Sequence, residues 1–354
     1  MLTADEFPNA RPRTDEQRRQ FVDARQVLEA WELVHDELRH RFGGSVRWVT
    51  RRGHEYLHRK VGERETSLGR RSAETEESER AFLSGRSAGQ ARAAALTARL
   101  EAMAPVNRAL QLGRMPRLFS RIARRLGEAE LLGKHLLVVG TQALYAYEAA
   151  AGVHLASDLL ATGDADLLRD ARPRLSLVVP QIRREGVLAL LQRVDHSFAL
   201  RGPRDFRAFN KDGFWVDLIR PQDRSFVAPT ARSTIGDNPA EIHPAPLGGQ
   251  NWLLNVPKFA TVVMSTDGYP VRVATVDPRA FALHKAWLAQ RPDRDPVKVQ
   301  RDRHQARAAA WLAQRHLGLA MDDGALRGLP EQLRALAPEL TWAAASAPGQ
   351  VPDW

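Results

Sequence analysis

Two neighbouring stretches decide the fold, 138-VVGTQALYAYEAAAG-152 and 161-ATGDADLL-168. The first opens with the end of a short apolar run, which predicts a buried strand that stops at Gly140-Thr141. Good helix formers follow, and Gly152 predicts the end of that helix. The second stretch alternates polar and apolar residues from Asp164 to Leu168, which is the pattern of a half-buried strand.

Three carboxylates are placed on these predicted strands. Asp164 and Asp166 are two residues apart, so their side chains point to one face of the strand. Asp217 interrupts the apolar run 214-FWVDLI-219, the second strand of a predicted hairpin that turns at residues 210–213. Carboxylates this close repel each other, and an oxygen-only cluster on adjacent strands suits Mg²⁺. The pattern therefore indicates a metal site for phosphoryl or nucleotidyl transfer.

Each of these acids also has a simpler interpretation. Asp164 and Asp166 could lie in a turn or at an exposed strand edge, because ATGD is a turn-like sequence. Asp217 could be the partner of one of the many arginines in a salt bridge. The residues alone leave these alternatives open.

The whole pattern resembles the nucleotidyltransferase-fold superfamily, which includes DNA polymerase beta, and within it a bacterial branch named for this fold. The signature of the superfamily is Gly-Ser or Gly-Gly at a helix start, then Asp-x-Asp, then a third Asp on a later strand. The resemblance extends to four further segments: 56-YLHRK-60, 67-SLGRRS-72, 277-DPRAFALHKAWLAQR-291 and 293-DRDPVKVQRD-302. Thr141 departs from the signature but keeps a hydroxyl, and the long gap before Asp164 predicts an inserted loop over 152–163.

The resemblance implies an enzyme that moves an NMP from an NTP such as ATP to an acceptor, with release of pyrophosphate. It implies that Asp164, Asp166 and Asp217 are catalytic and bind metal, with two Mg²⁺ ions expected. Asp217 would be nearest the attacking hydroxyl, as general base. The expected nucleotide-binding residues are Gly140, Thr141, Lys285, Arg294 and Lys298. For the three cations, a solvated basic helix face is the alternative.

A basic cluster around Tyr56 is the candidate acceptor site. Its selected members are Arg59, Lys60, Arg70 and Arg71. Basic residues interleaved with an aromatic ring suit phosphate contacts and base stacking, although a solvated surface is the alternative. RNA, a protein and a small molecule all fit such a groove as acceptor.

Composition narrows the functional classes further. The chain has 354 residues, 52 Lys+Arg against 42 Asp+Glu, a formal net charge of +10 and no cysteine. The absence of cysteine excludes disulfides, cysteine-ligated zinc and a cysteine nucleophile. No apolar run is long enough to cross a membrane, so we expect a cytoplasmic protein without membrane partners. The sequence contains no H-E-x-x-H, G-x-S-x-G, P-loop or G-x-G-x-x-G motif.

The expected fold class is α+β, with a small mixed sheet flanked by helices and helical modules at both ends. Three domains are predicted: an Arg-rich helical module over 1–130, a catalytic core over 131–276 and a helical cap over 277–354. The first module carries a hairpin near 45–60, a loop over 62–73 and a helix over roughly 74–103 that Pro105 ends.

A second class of function is consistent with the same residues. The fold could serve as a nucleotide- or RNA-binding module without catalysis, including as one member of a toxin–antitoxin pair. Three mutually repelling carboxylates favour the enzyme, because a binding module has no use for them.

Overall fold

The computed structural model describes residues 10–160, 162–170, 172, 180–222, 234–236, 238, 240–322 and 324–342. Within these residues the helices are α1 (Asp15–His40), α2 (Ala73–Ala109), α3 (Arg117–Glu128), α4 (Leu144–Ala151), α5 (Ser157–Leu160), α6 (Pro180–Val194), α7 (Gln250–Leu254), α8 (Pro278–Gln290), α9 (Pro296–His316) and α10 (Glu331–Arg334). The strands are β1 (Arg11–Pro12), β2 (Ser45–Arg51), β3 (His54–Val61), β4 (Arg64–Arg70), β5 (Leu136–Val139), β6 (Val153–His154), β7 (Asp164–Arg169), β8 (Ala199–Leu200), β9 (Arg207–Phe209), β10 (Trp215–Pro221), β11 (Ala245–Leu247), β12 (Lys258–Met264) and β13 (Pro270–Val276).

These elements form two compact units. The larger lies within Met1–Arg18, Gly113–Thr266 and Val271–Trp354, and the smaller within Arg19–Leu112 and Asp267–Pro270. The division into three domains that the sequence indicates stays a prediction.

A mixed sheet is the centre of the larger unit. Its strand order is β12-β13-β5-β7-β10-β9-β8, and β11 pairs with β10. The pairs β13–β5, β7–β10 and β10–β11 are parallel, whereas β5–β7, β10–β9 and β9–β8 are antiparallel. All four residues of β5 are buried, as the continuous apolar run predicts for an internal strand. The predicted α+β class with a mixed sheet and flanking helices is confirmed.

Helices α4, α8 and α9 pack together in the larger unit. The side chain of Tyr147 on α4 is fully buried, and its hydroxyl donates to the carbonyl of Val276 at 2.9 Å. Its ring meets Phe259 and Phe281 edge-to-face, at centroid distances of 5.6 and 5.4 Å. A buried tyrosine with its hydroxyl satisfied stabilises the contact between α4, the sheet and α8.

The smaller unit combines α1 and α2 with a three-stranded antiparallel sheet, β2-β3-β4. The buried face of α1 carries Phe21, Ala24, Val27, Leu28 and Val34, which recur at helical spacing. The predicted hairpin near 45–60 is confirmed, with Val46 opposite Arg59 and Arg51 opposite His54.

The predicted loop over 62–73 is wrong, because residues 64–70 form β4 against β3. Gly62, at φ +60°, occupies a two-residue turn that places Val61 opposite Arg64. The strand is exposed and almost wholly polar, so it lacks the apolar alternation by which strands are found in a sequence. Glu65 joins it to β2 through Arg47 at 3.0 Å.

Two other boundaries also differ from expectation. Pro105 does not end the second helix, which continues to Ala109. The side chain of Pro105 is exposed, so water can reach the carbonyl that its missing N–H leaves unpaired. The expected inserted loop over 152–163 carries β6 and α5, because Leu159 and Leu160 are buried and order that segment. Among the described helices, none combines the length and apolar character needed to cross a bilayer.

Candidate active site

The three predicted carboxylates lie on two adjacent parallel strands. Asp164 and Asp166 are on β7, and Asp217 is on β10 directly opposite Asp166. Neighbouring strands lie about 4.8 Å apart, and residues in register on them point to the same face of the sheet. All three carboxylates therefore project to one side of the sheet. The turn interpretation of Asp164 and Asp166 is excluded, since both belong to β7.

Asp166 ionises less readily than an ordinary aspartate. Burial, together with repulsion from Asp164 and Asp217, raises its pKa to about 6, and the positive charges of Lys285 and Arg207 oppose this shift. The ionised form of Asp166 is repelled by the two other acids. A cation bound beside it would stabilise that form, so the site favours cation binding.

Gly140 provides the space in which Asp166 lies. It has φ +65°, and a Cβ atom built on it would be 2.1 Å from Oδ2 of Asp166. Any other residue at this position would displace the carboxylate and strain the backbone. This close approach explains why a glycine stands where β5 ends.

Thr141 makes a different set of contacts from its neighbour. Its hydroxyl accepts hydrogen bonds from Arg301 at 2.5 Å and from the Gln305 amide at 3.1 Å, both on α9. The next side chain, Gln142, donates to the backbone carbonyl of Asp164 at 3.1 Å. The turn between β5 and α4 is therefore joined to both α9 and β7.

Arg207 is a member of the site that the sequence did not single out. It lies opposite Asp217 on β9, and its Nε and a terminal nitrogen each donate to that carboxylate at 2.6 Å. The guanidinium is also stacked over the ring of Trp215, 4.3 Å from its centroid. The salt-bridge interpretation of Asp217 is thus confirmed. Counting outward from the predicted turn at 210–213 would pair Arg207 with Val216, so the sequence did not indicate this contact. In the structure Phe209 lies opposite Trp215, and this register brings Arg207 opposite Asp217.

Arg207 occupies both carboxylate oxygens of Asp217. Within the described residues, Asp164, Asp166 and Asp217 do not all present oxygen atoms within 4.8 Å of one another. The three acids therefore share a face of the sheet without converging on one point.

Two of the predicted nucleotide-binding cations share one carboxylate. Asp302 on α9 accepts from Lys285 at 2.7 Å and from Arg294 at 2.5 and 2.7 Å, and it is 2% exposed. Burial lowers the pKa of Lys285, and Asp302 opposes that shift. Lys285, Arg294, Asp166 and Gly140 line one cavity of about 370 Å³.

The remaining predicted residues are elsewhere. Lys298 is exposed on α9. The four acceptor candidates belong to the smaller unit. Arg59 donates to the carbonyl of Arg41 at 2.7 Å, Arg70 contacts His54 at 2.9 Å, and Arg71 bridges Glu55 and Glu76. Lys60 is exposed opposite Glu65.

A glycine turn, three carboxylates on one sheet face and buried cations are typical of transferases of phosphorus-containing groups. The family model described as nucleotidyltransferase matches residues 117–327, more than half of the chain. The chain belongs to this nucleotidyltransferase family, and the resemblance inferred from its motifs is confirmed. The matched range contains the three acids, Lys285, Arg294 and Lys298, but not the acceptor candidates. No curated protein and no solved structure matches the chain.

Proposed function

We propose that the protein is a Mg²⁺-dependent enzyme that transfers an NMP from a nucleoside triphosphate to an acceptor hydroxyl. The observation that carries this proposal is the register of β7 and β10, which sets Asp217 opposite Asp166 and on the same face as Asp164. Gly140 leaves room for the central carboxylate of that group.

The residues of this site fit a hard divalent cation. Asp164, Asp166 and Asp217 offer carboxylate oxygens alone, which Mg²⁺ prefers. Burial and repulsion from Asp164 and Asp217 together raise the pKa of Asp166, and a bound cation would relieve the repulsion. These three residues would hold the metal, with two ions expected from the family. When bound, Mg²⁺ neutralises the phosphates and lowers the pKa of the attacking hydroxyl.

The transfer itself exchanges one bond to phosphorus for another. The acceptor oxygen bonds to the α-phosphorus, the bond between the α-phosphorus and the bridging oxygen breaks, and pyrophosphate leaves. We propose that Asp217 receives the hydroxyl proton. Both of its oxygens accept hydrogen bonds from Arg207, so Arg207 must release at least one of them before this step.

Cations on α8 and after it would bind the triphosphate. Lys285 and Arg294 line the cavity that Asp166 also lines, and Asp302 holds both of them in place. We propose that the backbone amides of Gly140 and Thr141 contact the β- and γ-phosphates, because the Thr141 hydroxyl is already bound by α9. Lys298 is proposed as a weaker, solvent-exposed phosphate contact.

The acceptor-binding role of the smaller unit is also a proposal. Lys60 and Arg70 are exposed on β3 and β4 and are available to a polyanion. Arg59 and Arg71 are held by contacts within the unit, so they would act chiefly by adding positive charge. The acceptor is RNA, a protein or a small molecule.

The test is transfer of label from each α-labelled NTP in cell extract, followed by RNase or protease treatment. In Asp166→Asn we expect transfer to fall by at least about a hundredfold, while the metal-free protein keeps its stability, because the change removes charge but little volume. Asp158→Asn, which alters an exposed acid on α5, serves as the matched control. Full transfer by Asp166→Asn would refute the assignment of the metal site.

A further inference from the structure

The cavity that contains Asp166 and Lys285 also has an uncharged side. Besides the acidic and basic groups, its wall includes Leu253, Phe281 and Leu288. Its volume of about 370 Å³ lies in the range of small-molecule sites. An apolar wall beside phosphate-binding cations suits the planar, uncharged end of a nucleotide.

Two buried polar side chains that line this cavity each have one unpaired polar atom. They are His284 on α8, 6% exposed, and Gln250 at the start of α7, 7% exposed. Nε2 of His284 and Oε1 of Gln250 have no hydrogen-bond partner among the described residues. A buried polar atom left unpaired costs free energy, so two in one cavity indicate a ligand that satisfies them.

The chemistry of these two groups favours an uncharged partner. Burial lowers the pKa of His284 to about 3, so its ring is neutral at physiological pH and carries one donor and one acceptor nitrogen. The amide oxygen of Gln250 only accepts. Neutral donors and acceptors of this kind pair with the edge of a nucleobase, whereas phosphates are the partners of Lys285 and Arg294.

The position of His284 is well supported by its neighbours. Its ring lies 5.7 Å from that of Trp287 at an interplanar angle of 33°, and Trp287 meets Trp252 edge-to-face at 5.0 Å. Trp252 is on α7, the helix that begins at Gln250. One aromatic contact therefore fixes both helices that carry the unpaired atoms.

We propose that His284 and Gln250 determine the base specificity of the enzyme, by hydrogen bonding to the edge of the nucleobase of the donor NTP. This inference rests on the proposed function, because it takes an NTP as the ligand. In this arrangement the base packs against the apolar wall of the cavity, and Lys285 and Arg294 bind the phosphates.

The experiment measures Mg²⁺-dependent binding to the full chain by titration calorimetry. The ligands are non-hydrolysable analogues of ATP, GTP, CTP and UTP, together with inorganic tripolyphosphate, which has no base. The variants are His284→Phe and Gln250→Met, which keep volume and remove hydrogen bonding. The controls are His304→Phe and Gln300→Met, two exposed positions on α9.

We expect the unaltered protein to prefer one base by at least about tenfold. Each cavity variant should lower the affinity for that NTP about tenfold and reduce its preference over the other bases, with tripolyphosphate binding within about twofold of the original. The control variants should preserve the ranking. Retained tripolyphosphate binding also shows that the variants are folded.

Three results would overturn the inference, and a fourth would refute the proposed function. The first is equal affinity of the unaltered protein for all four bases, and the second is a ranking that both variants preserve. The third is a parallel loss of tripolyphosphate binding, which would assign these residues a general role. The fourth, failure of every NTP to bind the unaltered protein, would instead refute the proposed function on which the inference depends.

Discussion

At the scale of single residues, Arg207 has the clearest influence on the state of the site. Its guanidinium balances the charge of Asp217, which is only 6% exposed, and it is held over Trp215. We infer that Arg207 is the counter-charge of Asp217 while no metal is bound. Metal binding and the Arg207 contact then compete for the same carboxylate.

This competition predicts a metal-dependent change in stability. In Arg207→Gln, the free energy of unfolding should fall by about 1–3 kcal/mol in EDTA, because a buried carboxylate loses its partner while the partly exposed arginine is screened by water. Saturating Mg²⁺ should recover more stability in this variant than in the unaltered protein. Urea unfolding with EDTA and with Mg²⁺ measures both quantities. Arg204→Gln, at an exposed position in the loop before β9, is the control. An equal loss under the two conditions would show that Arg207 is merely structural.

Gly140 supports a second prediction, with an internal control in Gly152. Both have a positive φ, +65° and +68°, but only at Gly140 would a Cβ meet another atom, Oδ2 of Asp166 at 2.1 Å. Gly140→Ala should lose about 1–3 kcal/mol of stability and about a hundredfold in transfer, because the displaced carboxylate no longer has its productive position. Gly152→Ala should lose about 1 kcal/mol from backbone strain alone and keep its activity. Thermal unfolding and label transfer check these values, and matching activity losses in the two variants would contradict the prediction.

At the scale of elements, the active-site pattern follows from strand pairing. The antiparallel pairing of β9 with β10 sets Arg207 opposite Asp217, and the parallel pairing of β7 with β10 sets Asp166 opposite Asp217. A shift of one residue in either pair would turn the side chains to opposite faces. The register of these two pairs is therefore what makes three separate acids and an arginine into one site.

Helix α2 provides a prediction at the same scale. Pro105 lies inside it, where a proline removes one backbone hydrogen bond and crowds the preceding turn. Because its side chain is exposed, Pro105→Ala should raise the free energy of unfolding by about 1–3 kcal/mol. The matched change, Pro116→Ala, should give no such gain, since Pro116 precedes α3 at φ −55°, an angle that suits proline. Urea unfolding measures both variants, and a loss of stability in Pro105→Ala would mean that the ring contributes packing.

Secondary structure was predictable where hydrophobic pattern and turn chemistry agree. The run ending in Gly140 predicts β5 and the turn after it, and Asp277-Pro278 predicts the start of α8, where Asp277 accepts from the N–H of Arg279 at 2.8 Å. The sequence did not predict the strand β4, because backbone hydrogen bonds and exposed ion pairs stabilise it rather than a hydrophobic core. The hydrophobic pattern of a sequence arises from burial of one face, and an exposed strand such as β4 lacks that pattern.

At the scale of the whole molecule, the described chain is divided between two compact units with different roles in the proposals. The larger contains nearly all of the family match, the three acids and the cavity, whereas the smaller contains the acceptor candidates. In the larger unit, Gly140, Asp166, Lys285 and Arg294 line the cavity. Asp164 and Asp217 lie near Asp166, on β7 and β10. Lys298 does not join them, because it lies on the exposed face of α9.

The sequence by itself determined the fold class and the nucleotidyltransferase family, through the resemblance of its motifs. It also predicted that Asp164 and Asp166 share one face of a strand, because the side chains of a strand alternate with a period of two. Only the tertiary structure decided that Arg207 binds Asp217, that Asp302 holds Lys285 and Arg294, and that His284 and Gln250 line the same cavity as Asp166. These relations join residues that are distant along the chain or on separate strands and helices. Their distances depend on register and packing, which no local pattern encodes.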